Sequence, residues 1–374
     1  MINTPEYRLE LRIDGALVGD VRSIAQNLHW KRCRTVYGTD SIDFILNDKL
    51  FAEWCEKRNT SIEQMLRPYA LDARIIRNGE ALVGGFLATM PAYSPNQDSA
   101  NLQLRFDGYL NLLQGVYIHP TATQTKAAGT MVADWIDMAE ARAVAAGKGF
   151  GITRGNIQAL ATIQETFDNY KTIKEAIVQR CDNIEGAGPF DVIFRPDRTY
   201  DITNQLGREI IDWELHYPAR RDGQGITNIT APEVQGFASH IITLGAGETS
   251  SDPQKNTVIT SEETDATAVQ TYGYCETLKQ YSSVSRQATL DQHCATDLYN
   301  ATNVRWQPQI TLIGRQTPPS PSENYGLWLG DRVDVINDAD QTGQTSGRFR
   351  INVLDVTVSA TNAETIKPAM ERVA

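Results

Sequence analysis

The chain is poor in the features that mark membrane, secreted and zinc-binding proteins. Its 374 residues contain no apolar run close to the ~20 residues that a helix needs to cross a bilayer. The opening MINTPEYRLELRID has neither the basic stretch nor the apolar core of a secretory signal. The five cysteines are odd in number and include no Cys-x-x-Cys pair, which argues against a disulfide framework and a structural zinc site. We therefore expect a soluble protein made in the cytoplasm, with free and buried thiols.

Basic residues are also in the minority. The chain has 35 Lys and Arg residues against 46 Asp and Glu residues, a net charge of -11 and a pI of about 5.0. Tight binding to nucleic acid depends on clustered cations that displace counterions from phosphates, so the composition argues against this class of function. The same charge is compatible with a surface past which DNA slides without being held.

The familiar catalytic motifs are missing as well. The sequence has no G-x-S-x-G, no H-E-x-x-H and no phosphate-binding G-x-x-x-x-G-K-[ST]. None of the five histidines lies three or four residues from another, as a metal pair on a helix would require. His293 and Cys294 are adjacent, but neighbouring residues on a helix point in different directions, so a nucleophile–base pair is not expected. His216 is predicted on the solvent-facing side of its strand.

One pair of carboxylates deserves comparison with glycosidase sites. Asp212 and Glu214 share a strand face, and the rise of a strand places them about 7 Å apart. Any amphipathic strand with an acidic face gives the same pattern, and we favour that interpretation. Glu262, Glu263 and Asp265 are predicted in a solvated loop, and the six tryptophans are predicted in the core rather than on a sugar-binding surface. The sequence thus predicts no catalytic, cofactor-binding or metal-binding residue, and no cofactor.

What the sequence does have is the pattern of a β-rich globular protein of two or three domains. Hydrophobic residues make up 41% and charged residues 22%, which is ordinary for folded domains. Asn78-Gly79 between alternating segments 73–77 and 81–88 is the clearest hairpin signal, because this pair suits a type I′ turn. Asp14-Gly15 predicts a second hairpin, and Thr60 with Glu63 has the spacing of a capping box.

The middle of the chain changes to a helical period. Helices are predicted over 125–146 and 172–180 from apolar residues three and four apart, and a further helix over 286–299. Strands are predicted again from residue 191 onward, with loops at 245–254 and 317–323 and a polar hairpin tip at 337–347. We expect a β-rich α+β fold with two small β-barrel-like or sandwich domains and a mainly helical insertion. The predicted domains are 1–120, 121–188 and 189–374, and the last can pack back on the first.

The order of these segments resembles a known family. The opening YRLELRIDGALVGDV is followed by WKRCRTVYGTDSIDFILND and the hairpin ARIIRNGEALVGGFLA. Next come DVIFRPDRTYDITNQLG, REIIDWELHYP and YGYCETLKQYSSVS, and the closing stretch is YGLWLGDRVDVINDADQTGQTSGRFRINVLDVTVS. Together they resemble the tail-hub, or minor tail, proteins of long-tailed bacteriophages, which are similar to the central baseplate hub of contractile tails.

The resemblance implies a structural virion protein rather than an enzyme. Such hubs are expected to be homotrimers with two barrel-like domains per subunit, so that six barrels form a ring at the tip of the tail tube, through which DNA passes on ejection. The implied partners are the distal tail protein or tail tube, the tape-measure protein and tail spike or fibre proteins, and the implied location is the virion tail tip, after assembly in the host cytoplasm. One alternative is a tail-associated hydrolase or carbohydrate-binding protein acting on the host envelope. Another is an unrelated intracellular enzyme whose site forms only in space.

Overall fold

A computed structural model describes residues 4–95, 100–167, 170–182, 189–218, 224–230, 237–247, 258–281, 284, 287–302, 308–340 and 345–373. The chain divides into two compact units. Unit 1 comprises Met1–Asp182, Gly186–Ala231 and Gln307–Ala374, and unit 2 comprises Asn183–Glu185 and Pro232–Trp306. Among the described residues, no helix is long and apolar enough to cross a bilayer.

The described residues form the following strands and helices in chain order. The first strands are β1 (Tyr7–Ile13), β2 (Ala16–Asp20), β3 (Ala25–Cys33), β4 (Ser41–Asn47), β5 (Leu71–Arg77), β6 (Glu80–Leu87), β7 (Ala92–Pro95), β8 (Ala100–Asp107), β9 (Tyr117–Ile118), β10 (Thr121–Ala127), β11 (Thr153–Ile157) and β12 (Thr162–Phe167). They are followed by β13 (Lys171–Thr172), β14 (Asp191–Phe194), β15 (Thr199–Thr203), β16 (Glu209–Tyr217), β17 (Gln224–Thr230), β18 (His240–Gly247), β19 (Val258–Thr264), β20 (Glu276–Gln280), β21 (Gln309–Ile313), β22 (Arg332–Asn337), β23 (Gly347–Val358) and β24 (Glu364–Arg372). The helices are α1 (Asp48–Glu56), α2 (Ile62–Met65), α3 (Ala128–Ala145), α4 (Ile173–Asp182), α5 (Ala266–Tyr272) and α6 (Gln287–Thr302), with 3-10 turns at Thr35–Tyr37 and Tyr109–Gly115.

A closed six-stranded barrel is the centre of unit 1. Its strands run in the order β23-β22-β16-β17-β21-β24, and β24 pairs back with β23 to close the ring. Closure removes free edges over the paired stretches. Alternate residues of β24 point inward and are buried, while Thr365, Lys367 and Ala369 point outward and are exposed.

The first 107 residues form a curved sheet that continues from the same barrel. Its strand order is β2-β1-β5-β6-β8-β4-β3, and β3 pairs antiparallel with β23, Cys33 opposite Val353 and Leu28 opposite Val358. One apolar cluster runs through both parts and includes the fully buried Trp30, Phe44 and Phe349. Each such side chain stabilises the fold by roughly 1.5–3 kcal/mol, so burial makes the two sheets a single packed body.

The described residues of 109–182 and 189–203 pack around a second apolar cluster in unit 1. Helix α3 contributes Met131, Trp135 and Ile136, and α4 contributes Ile173 and Ile177. The short strands β9 to β15 surround the two helices as small two- and three-stranded sheets. This region thus holds the predicted helices over 125–146 and 172–180 and, in β14 and β15, strands in the part predicted from residue 191 onward, whereas the short strands β9 to β13 were not predicted.

Unit 2 is a three-stranded sheet in the order β19-β18-β20, with α6 on one face. Its described apolar cluster is small and contains Ala238, Ile241, Cys294 and Leu298, with Ala301 packed against it. The predicted helix over 286–299 corresponds to α6. Most of the predicted loop at 245–254 lies outside the described residues.

Both predicted hairpins form. Asn78 (φ 48°) and Gly79 (φ 86°) join β5 to β6, and Asp14 (φ 51°) with Gly15 (φ 83°) joins β1 to β2. The positive φ values are those of a type I′ turn, which is why the Asn-Gly and Asp-Gly pairs identified them.

Two local predictions were wrong by small shifts. The capping box before α2 uses Ser61 and Gln64, one residue later than Thr60 and Glu63. Glu262 and Glu263 lie in strand β19 rather than in a loop, and Asp265 accepts hydrogen bonds at the start of α5. In each case a neighbouring polar residue offered the same chemistry, so the pattern alone did not select the position.

The turns before β16 and β22 pass so close together that only glycine fits. Gly207 has φ +88°, and a Cβ built there would lie 1.9 Å from the carbonyl carbon of Gly330. We expect Gly207→Ala to lower the free energy of unfolding by at least about 3 kcal/mol, because it combines left-handed strain with a backbone collision. Gly15→Ala is the matched control: φ is +83° with nothing within 4 Å, so strain of about 1–2 kcal/mol remains alone. Urea unfolding of both variants checks this, and equal losses would contradict it.

Candidate functional site

The two carboxylates that the sequence singled out lie on the outer wall of the barrel. Asp212 and Glu214 are both exposed on β16. Glu214 Oε2 lies 3.1 Å from His216 Nε2. His216 is 7% exposed, so the prediction that it faces solvent was wrong. The burial does not come from the barrel interior, because His216 lies two residues after Glu214 in a continuous register and shares its outward face.

Both carboxylates are open to solvent, and a cavity described in unit 1 lies elsewhere. A pocket lined by residues that include Cys33, Asp40, Tyr109 and Val192 measures about 20 Å³, which is room for about one water molecule. It is lined by neither Asp212 nor Glu214. The two carboxylates therefore remain an acidic surface rather than an enclosed acid–base pair.

His293 and Cys294 diverge on α6, as expected for adjacent helical residues. The Cys294 thiol is buried, with Sγ 3.5 Å from the carbonyl oxygens of Ile241 and Ser261. The His293 ring stacks on Tyr281 with the centroids 4.2 Å apart. Within the described residues, no group of three or more His, Cys, Asp or Glu side chains could hold a metal ion. Cys33, Cys55, Cys181 and Cys294 are buried and Cys275 is exposed, all as free thiols.

Buried ion pairs between distant segments are the main polar feature of unit 1. Asp191, at the start of β14, is 1% exposed and accepts from Arg34 Nε at 3.0 Å. Arg34 also donates to Asn352 Oδ1 on β23 at 2.9 Å, and Arg350 Nη2 lies 3.7 Å from the same aspartate. Burial, and then the nearby Arg34 charge, lowers the pKa of Arg350 to about 10. One carboxylate thus ties the helical region to the barrel.

A second junction joins β5 to β24. Arg77 forms an ion pair with Glu364, which is 4% exposed and also accepts from the Tyr7 hydroxyl. Arg77 pairs with Glu323 as well. Burial and the Glu364 charge raise the pKa of Tyr7 well above its ordinary value, which keeps its proton available as a donor.

Two more ion pairs join distant segments of unit 1. Arg198 holds Asp72 through two hydrogen bonds of 2.6 and 3.1 Å. Arg208 binds Asp331 and also donates to the carbonyl oxygens of Pro321 and Gly326. The hydrogen bonds from Arg208 fasten the proline-rich loop predicted at 317–323, whose residues 317–320 are buried. These contacts fix the loop instead of leaving it in solvent.

Sequence reasoning missed these junctions. Arg34 and Asp191 lie 157 residues apart, and Arg77 and Glu364 lie 287 apart. Charged residues in strands are ordinarily assigned to the solvent face, and the sequence contains no local signal that pairs them across such distances.

Acidic side chains gather in unit 2. The segment 232–306 contains nine Asp and Glu residues against four Lys and Arg residues. Its net charge is therefore -5, out of -11 for the whole chain. Glu262 and Glu263 are exposed on β19. Asp338 is exposed at the end of β22, while Asp340 accepts hydrogen bonds from Thr345. Glu248 and Asp252, also predicted in an acidic loop, lie outside the described residues.

Comparison with solved structures finds the same fold in tail proteins, two of them from prophages. The tail protein from Neisseria meningitidis MC58 is 15% identical, with a TM-score of 0.59 over 98% of this chain and 96% of its own. The 43 kDa tail protein from prophage MuSo2 of Shewanella oneidensis is 11% identical, with a TM-score of 0.64 over 98% of both chains. Prophage tail protein gp18 from Listeria monocytogenes EGD-e is 11% identical, with a TM-score of 0.52 over 97% of this chain and 94% of its own.

The predicted resemblance to phage tail proteins is therefore confirmed at the level of the fold. No family profile matches the sequence, and no curated protein matches it significantly. The β-rich α+β class with barrel-like parts is likewise confirmed.

Removing the charge of Asp191 should lower the stability of the folded protein. Asp191→Asn leaves two buried guanidinium groups without their shared carboxylate, so we expect a loss of about 3–5 kcal/mol in the free energy of unfolding. Asp134→Asn is the matched control, because Asp134 is about 40% exposed and its pairs with Lys126 and Arg154 lie in solvent. There the expected loss is below about 1 kcal/mol. Chemical denaturation compares the two, and similar losses would contradict a structural role for the junction.

His29 predicts a specific dependence of stability on pH. Hydrogen bonds to Asp355 and then Asp43 raise its pKa to about 9, from about 6.5 in an unfolded chain. Because the folded pKa is raised, the stabilisation is complete below about pH 6.5 and is lost as pH rises through 9. The difference in melting temperature between wild type and His29→Gln should therefore shrink from pH 6 to pH 10. A constant difference over that range would refute the assignment.

Proposed function

We propose that this chain is a structural protein of a bacteriophage tail, the hub that forms a ring at the distal end of the tail tube. The observation that carries the proposal is the shared fold with three tail proteins, two of them from prophages, over nearly the whole length of each chain. The rigid, cross-linked β-structure of unit 1 supports it, because a tail component has to keep its shape under mechanical stress.

The proposed assembly is a homotrimer. The interior of the described barrel is filled by side chains such as Leu215, Leu312, Val335 and Phe349. A barrel packed in this way has no room for DNA, so a channel has to be enclosed by several copies. In the described part of the chain strand β2 stands at the end of the large sheet, and strands in this position are often completed by neighbouring subunits in assemblies.

The proposed partners follow from this position. The ring would bind the distal tail protein or the tail tube on one side, and tail spike or fibre proteins on the other. The tape-measure protein and the genome would pass through it. The protein would act in the virion tail tip after assembly in the host cytoplasm.

DNA should pass the ring without tight binding. Duplex DNA carries one charge per ~1.7 Å of axis, and a basic lumen would retain it by counterion release. A net charge of -11 per chain, nearly half of it within 232–306, favours an inner wall that is neutral to negative. We also propose that the chain is not an enzyme: Asp212 and Glu214 are exposed on the barrel wall, where no enclosed site excludes water from a substrate.

The test of this function is the assembly state of the protein. We expect the purified chain, alone or in assembled tails, to form trimers, visible by light scattering and by electron microscopy as a threefold ring at the tail tip. A monomer in a peripheral, single-copy position would refute the proposal. The same preparation should not retard duplex DNA at physiological salt. A gel shift at submicromolar protein that weakens steeply with added salt would refute the proposed channel that passes DNA without binding it. Cleavage of the host envelope that Asp212→Asn abolishes would favour the alternative function of a tail-associated hydrolase.

A further inference from the structure

The barrel wall carries an apolar side chain that the fold itself does not use. Ile211 is 80% exposed, the highest value for a large hydrophobic residue among those that the structure describes. It lies in a bulge of β16: the strand pairs with β22 at Glu209 and again from Glu214, so residues 210–213 stand opposite Val333 alone. On the other edge, only Leu215 and His216 pair with β17. The bulge pushes this segment out of both ladders.

A second exposed aromatic residue stands beside the bulge. Tyr325 is 53% exposed, and its ring centroid lies 6.2 Å from that of the half-buried Trp213. Its φ of +59° is unfavourable for a bulky side chain, a strain that persists only when the surroundings enforce it. The surroundings do so here, because Arg208 grips the carbonyl oxygens of Pro321 and Gly326 on either side. The loop therefore holds Tyr325 outward in a fixed position.

Together these residues form what we call the bulge patch: Ile211, Asp212, Trp213, Glu214 and Tyr325. The centre of the bulge patch is aliphatic and aromatic, as in the hot spots of protein interfaces. Its charged groups are two exposed carboxylates. A complementary surface must be shallow and apolar, with at least one cation.

Such a surface exists on the opposite side of the same barrel. We call it the β21–β24 wall, and its outward residues are Thr311, Ile313, Thr365, Lys367 and Ala369. Ile313 is 42% exposed and pairs with Thr365 across the strands, and Lys367 is exposed two residues further on. Small side chains leave room for a protruding isoleucine, and the lysine can meet a carboxylate.

The positions of the two surfaces fit a head-to-tail contact. In the closed ring, β16 and β24 are separated by two strands in either direction, so they face opposite ways. Complementary patches on opposite sides of one subunit generate a heterologous interface, which closes into a ring when the rotation permits.

We propose that the bulge patch of one copy packs against the β21–β24 wall of the next copy, with Ile211 against Ile313 and Thr365 and with Asp212 paired with Lys367. This assignment rests on the proposed ring, but it is separable from it. The ring requires only that copies associate, whereas the assignment states which surfaces meet.

A charge-swap experiment tests the assignment by analytical ultracentrifugation. We expect Ile211→Asp to weaken self-association at least about tenfold, while Leu50→Asp, on an exposed α1 position outside both surfaces, leaves it unchanged. Asp212→Lys and Lys367→Asp should each weaken association, and the double variant should recover most of it. Far-UV circular dichroism verifies that each variant is folded.

The outcomes separate the two proposals. If wild type forms the ring and Ile211→Asp forms it equally well, or if the double variant shows no recovery, the assigned surfaces are wrong and the ring stands. If wild type forms no ring at any concentration or in assembled tails, the proposed function and this assignment both fall.

Discussion

The structure of unit 1 depends on one long strand that pairs with three others. Strand β23 pairs with β24 along most of its length, while its other edge pairs first with β22 and then with β3. The first pairing closes the barrel, and the last attaches the sheet built from residues 7–107. A break in β23 would therefore open the barrel and detach the sheet at once, because both use the same backbone groups.

The buried ion pairs have a different role from the apolar core. Apolar packing tolerates small displacements between elements, whereas a buried arginine and carboxylate must meet within hydrogen-bonding distance or leave a charge uncompensated. Asp191, Glu364, Asp72 and Asp331 each impose this requirement between segments far apart in sequence. They fix the register of the parts more strictly than they stabilise them.

The sequence predicted the elements whose signals are local. Asn78-Gly79 and Asp14-Gly15 indicated the hairpins, and apolar residues three and four apart indicated α3 and α4. It did not predict β24, since Pro368 interrupts the pattern expected of a paired strand. In the structure Pro368 is tolerated because β21 reaches only Thr365 and Ile366, so at that point β24 has a single neighbour. The bulge that exposes Ile211 was equally hidden, because register depends on partner strands that a single segment cannot reveal.

The pairing of β3 with β23 also determines how long β3 stays without this partner while the chain is being synthesised. Cys33 and Val353 are separated by 320 residues, so at about 5–20 residues per second the edge of β3 waits roughly 16–64 s for its partner to be synthesised. During that time an unpaired, apolar strand edge is exposed to other nascent chains. Attachment of this sheet to the barrel is therefore a late event in the folding of the nascent chain.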